Sequence, residues 1–80
     1  MERKDFQAYR AICYVLKRCS TVGLSFDCLL NHPDLARFHL SAKKLTDLLF
    51  LAQYRGEIRG LPRDLSRLKP STAIYSTDVE

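Results

Sequence analysis

The chain of 80 residues is short of nearly everything that catalysis or membrane insertion requires. No apolar run is longer than a few residues, Leu48 to Ala52 being one, against the 18 or more of a membrane span. Met1 is followed by Glu-Arg-Lys-Asp and then an amphipathic pattern, not an apolar h-region, so no signal peptide is expected and a nuclear or cytoplasmic location is. With 3 Gly and 3 Pro there is no Gly-rich phosphate loop and no low-complexity tract, and no internal repeat is visible. Cys13, Cys19 and Cys28 are odd in number, at spacings that fit neither paired C-x-x-C motifs nor a zinc module, and read as buried thiols. His32 and His39 have no carboxylate or nucleophile constellation beside them, so no catalytic residue, metal or cofactor is expected and the chain reads as a binding module.

What remains is an ordinary globular composition, 46% hydrophobic and 28% charged, in one domain over residues 1–80. A chain of this size buries only about 60% of its unfolded surface, so its core must be well used. Tyr9, Ile12, Cys13, Leu16 and Cys19 follow helical spacing between Asp5 and Cys19, with Arg10, Lys17 and Arg18 on the other side. Ser20 to Gly23 breaks this helix. Leu24-Ser25-Phe26 reads as a short extended link with Ser25 the N-cap of a second helix, which ends or kinks at Asn31-His32-Pro33; Pro33 can open one more turn that carries Leu35 and Phe38 inward.

Ser41 opens the strongest helix, with Leu45, Leu48, Leu49 and Ala52 on one face and Gly56 as its left-handed stop. Glu57-Ile58-Arg59 and Ala73-Ile74-Tyr75 read as antiparallel partners, a wing. Between them Leu61, Leu65 and Leu68 recur at helical spacing, so a short helix starting at Pro62, with Arg63 and Arg67 sharing its solvent face, is one reading and a plain loop the other. The expected fold is mainly α with a small β wing: a winged helix-turn-helix of three helices and a short antiparallel strand pair.

This pattern resembles the winged-helix domain at the C-terminus of the middle subunit of replication protein A. The resemblance rests on Val15-Leu16-Lys17 and Cys19, Gly23-Leu24-Ser25-Phe26, His39-Leu40-Ser41, Gly56-Glu57-Ile58 and the closing Tyr75-Ser76-Thr77-Asp78. It implies a docking module that takes up helical peptides of repair and replication partners along an acidic face. Here the corresponding half is basic and residues 60–72 are longer than that family's wing. Thr46 and Phe50, four apart, are also similar to the polar and aromatic pair of Z-form nucleic-acid-binding domains, without their Asn, Tyr and Trp. The Leu-Ser-Phe, Leu-Leu and Arg-Gly order resembles the costars domains, without their Gly-Glu-Leu-Leu.

Charge points to a surface. Between Lys43 and Lys69 seven cations stand against Asp47, Glu57 and Asp64, which accounts for the chain's whole net charge of +4. A basic face there suggests an anionic partner, and the expected nucleic-acid contacts are Lys43, Lys44, Thr46, Arg55, Arg59, Arg63, Arg67 and Lys69. Lys43 and Lys44 lie in a first helical turn, where phosphate is already favoured, with Asp47, Phe50 and Gln53 as further base-edge candidates. The alternative is protein docking or self-association through Phe50, Leu51 and Tyr54, because the apolar face of this helix is wider than one inward stripe.

Overall fold

The computed structural model of the chain describes residues 2–19 and 22–77. Helix α1, Arg3–Arg18, buries Ala8, Tyr9, Ile12, Val15 and Leu16, with Asp5 in its first turn and Lys17 and Arg18 in its last, where each suits the helix dipole. Strand β1, Leu24–Ser25, runs directly into α2, Phe26–Leu30, and Ser25 Oγ accepts the Cys28 N–H at 3.1 Å. Pro33 then opens α3, Pro33–Ala36, whose N-cap is His32: its Nδ1 accepts the Asp34 N–H at 3.1 Å. The histidine is thereby committed to capping.

Helix α4, Ala42–Tyr54, starts where Ser41 Oγ accepts the Lys44 N–H at 3.1 Å and stops at Gly56, at φ +78°. The stop is a Schellman pair: Glu57 N–H reaches the Ala52 carbonyl at 2.9 Å and Gly56 N–H the Gln53 carbonyl at 3.0 Å. The chain turns at once into β2, Ile58–Arg59, and returns as β3, Ala73–Ser76.

The sheet has three strands in the order β1-β3-β2, all antiparallel, with Leu24 opposite Ile74 and Arg59 opposite Tyr75. The expectation of three helices and a strand pair is corrected in count: the extended link before α2 pairs with the free edge of β3, and the Pro33 turn is a fourth helical segment. A mainly helical chain with a small antiparallel sheet results, and α1, α4 and the sheet enclose one core in which Ile12, Leu16, Leu29, Leu45, Leu49, Ile58 and Ile74 are fully buried.

Of the two readings left open between β2 and β3, the loop is the one found: only a 3-10 turn, Leu65–Arg67, forms, its start held by Asp64 Oδ1 accepting the Ser66 N–H at 3.0 Å, and Pro62 opens no helix on which Arg63 and Arg67 could share a face. The expectation of three buried thiols is corrected: Cys13 and Cys19 are half-buried while Cys28 is exposed, on the outer side of a helix too short to bury more than Phe26 and Leu29. Among the described residues no helix is long and apolar enough to cross a membrane.

Candidate nucleic-acid interface

At 100° per residue, α4 divides into sectors that the contacts confirm. Leu45, Leu48, Leu49 and Ala52 face the core. On the flank toward α1, Lys44 Nζ lies 3.2 Å from Asp5 Oδ2 and the Arg55 guanidinium sits 5.5 Å from the centre of the Tyr9 ring. On the opposite flank, Gln53 Oε1 accepts the Leu61 N–H at 3.0 Å. Facing away from the core and exposed are Lys43, Asp47 and Tyr54.

This placement separates the expected contacts. Thr46 is corrected: it is 8% exposed, and its hydroxyl donates to the Ala42 carbonyl at 2.7 Å, so it offers no polar group to a base edge. Lys44 and Arg55 already have partners on α1 and act as clamps between the two helices. Gln53 holds the loop after β2 and reads nothing. Phe50 and Leu51 are partly buried and packed on the core, whereas Tyr54 is 90% exposed. The outer face of α4 thus carries one cation, one anion and an exposed phenol, and its own charges cancel.

The loop over residues 60–72 is different. Leu61 is buried and Leu68 packs against the core, so the loop is anchored from below at two points. Its descending arm is stitched to α2, since Phe26 N–H donates to the Thr72 carbonyl and Asp27 N–H to the Pro70 carbonyl, each at 2.9 Å. Thr72 Oγ1 accepts the Lys69 N–H at 3.0 Å, and the Thr72 N–H returns to the Lys69 carbonyl at 3.0 Å. These bonds hold a loop of otherwise irregular backbone in one shape. Arg59, Arg63, Arg67 and Lys69 are exposed around it, with Asp64 the one carboxylate within the loop. Among the described residues none of Arg63, Arg67 and Lys69 forms an ion pair, and the Arg59 guanidinium lies 5.3 Å over the Tyr75 ring.

A second polar cluster lies where α1 crosses the end of α4. The Tyr9 hydroxyl donates to Glu57, and Cys13 Sγ lies 3.7 Å from the same Glu57 Oε2. Burial pushes the Cys13 thiol above its ordinary value, and the nearby Arg55 charge offsets this only in part. The cluster ties α1 to the start of β2. Among the described residues no group of three or more His, Cys, Asp or Glu side chains is placed to hold a metal ion.

Sequence reasoning passed over the outer face of α1. Counted along the chain, the residues outside 43–69 balance to zero, but in space Arg3, Lys4, Arg10, Lys17 and Arg18 share one helix whose only acid, Asp5, is paired with Lys44. Phe6, Arg10, Tyr14 and Arg18 stand four apart, with Arg10 5.9 Å over the Phe6 ring and Arg18 5.7 Å over the Tyr14 ring. That four-residue spacing was the signal available in the sequence. Comparison of the chain with protein-family models, curated proteins and solved structures found no match.

Proposed function

We propose that the chain is a winged helix-turn-helix and a non-catalytic binding module, contacting DNA or RNA within a nucleic-acid-associated assembly of the nucleus or cytoplasm. The order α1, β1, α2, α3, α4, β2, β3, in which α3 is a single turn, with a β1-β3-β2 sheet supports the first part, since the loop over 60–72 then takes the place of a wing. The observation that carries the second part is the anchored loop itself. It holds Arg59, Arg63, Arg67 and Lys69 on a fixed frame, three of them without an ion pair among the described residues. Cations on a pre-formed loop spare the cost of ordering its backbone when they meet phosphates, and each contact releases counterions. Lys43, at the start of α4, is the cation of that helix left to join them, since Lys44 pairs with Asp5.

The test is fluorescence anisotropy of labelled single- and double-stranded DNA and RNA with two variants. Removing Arg63, Arg67 and Lys69 together should weaken binding strongly, whereas Lys44→Ala, which breaks a link to α1, should change it little. Equal loss from both would refute the assignment to the wing.

A second reading is docking of a partner helix, or self-association, through Phe50, Leu51 and Tyr54. The balanced Lys43 and Asp47 charges and the 90% exposure of Tyr54 favour it, because a groove-reading helix gains from net positive charge and this face has none. The implied role of the replication protein A domain as a docking module points the same way. Loss of partner binding or of a dimer in Tyr54→Ala, with nucleic-acid affinity unchanged, would select it.

A further inference from the structure

We infer that the groove between α1 and α3 is a docking site for an acidic, amphipathic helical segment of a partner protein, a site distinct from the wing. The groove has a volume of about 980 Å³. Its floor is apolar, formed by Ala11, Val15 and the half-buried Phe38, and Tyr14, 61% exposed, stands along one wall. From Lys4 to Val15 it follows α1 for about three turns, roughly 17 Å at 1.5 Å per residue, a length that suits a short helix.

Its rim decides the sign of the partner. Lys4, Arg10 and Arg37 surround the floor against a single acid, Asp34. Two of these cations lie over rings: the Arg37 guanidinium stacks 4.7 Å from the centre of the Phe38 ring, and the Arg10 guanidinium lies 5.9 Å from the centre of the Phe6 ring, at the outer range of a cation–π contact. A stacked guanidinium keeps its N–H fork free at the edge and is already ordered, so a carboxylate can be met bidentately at low entropic cost.

Phosphate would meet the same forks, but the rest of the site suits a peptide better. Phe6 and Phe38 each have an arginine over one face, which leaves no ring open on both sides to sandwich a base, while the Ala11 and Val15 floor matches aliphatic side chains. A partner helix with Leu or Ile at i, i+3, i+4 and i+7, flanked by Glu or Asp, satisfies floor and rim together.

The experiment selects from a displayed library of random peptides against the intact chain. The best peptide is then synthesised and its affinity measured for four proteins: wild type, Arg10→Glu with Arg37→Glu, Tyr14→Ala, and Arg63→Ala with Arg67→Ala. All substituted side chains are exposed, and circular dichroism verifies that each variant is folded. The expected result is enrichment of acidic peptides with helical apolar spacing, weakened about ten-fold or more by the double charge reversal and by Tyr14→Ala but not by the wing pair. Enriched peptides without acidic residues would overturn the inference, as would winners bound equally well by the charge-reversed protein. So would displacement of the winner by an oligothymidine that contacts Arg10 and Tyr14, which would make the groove a nucleic-acid surface.

Discussion

Replacing Gly60 by alanine should destabilise the chain far more than the same change at Gly56, although both glycines have positive φ, +109° and +78°. Gly56 ends α4 in open space, with nothing within 4 Å of where a Cβ would stand. Only the left-handed backbone resists there, and the expected cost is about 1 kcal/mol. At Gly60 a Cβ would fall well inside van der Waals contact of the Ala73 carbonyl oxygen and 3.3 Å from the Ile74 Cα. Both atoms belong to the β3 backbone, which is paired on two sides and cannot give way as a side-chain tip would. To relieve the clash β2 and β3 must part just where the loop over 60–72 begins. Adding about 1–3 kcal/mol of dihedral strain to the lost pairing gives an expected cost of about 3 kcal/mol. In urea this should appear as a lower midpoint at unchanged m, and in a domain of this size as a fall in Tm of about 12–24 °C. Equal losses at the two glycines would refute the close approach of Gly60, the first residue after β2, to β3.

Leu49, fully buried at the centre of the core, should cost about 3–4 kcal/mol when cut to alanine, measured by chemical denaturation. Tyr9→Phe should cost only about 1 kcal/mol, because its partner Glu57 is exposed and regains water once the hydroxyl is gone. Exposed Cys28 should react with a thiol reagent well before Cys13, whose raised pKa keeps it protonated, with mass spectrometry of the peptides as the readout. Because Cys13 binds its proton more tightly folded than unfolded, stability should decline as pH rises above its ordinary value of 9.0, and less steeply in Cys13→Ala.

Local chemistry was legible wherever one side chain acts on its own segment. Ser25 and Ser41 as N-caps, Gly56 as a stop and Pro33 as a helix start all follow from backbone groups within a few residues, and each is where sequence reasoning put it. The third strand was not legible as a strand, since two residues have no periodicity to detect and Leu24 pairs with Ile74 fifty positions away. The same limit hid the site. Thr46 looks like a surface polar residue until its hydroxyl turns back to Ala42, and Lys44 looks free until α1 brings Asp5 to it. Arg63 and Arg67 were named from charge alone; that Leu61, Leu68 and Gln53 hold their loop still depends on contacts no spacing reveals.

The dependence of nucleic-acid affinity on salt tests the central claim most directly, because it counts the phosphates the protein neutralises. If Arg59, Arg63, Arg67 and Lys69 each meet one phosphate, the logarithmic slope is about −3.6 on duplex and about −2.8 on single strands, and raising salt four-fold costs about 150-fold or about 50-fold in affinity. Changing Arg63, Arg67 and Lys69 to alanine should bring the slope to about −1. A slope left unchanged by that triple substitution, or no binding at low salt, would contradict the reading of the wing as a nucleic-acid surface.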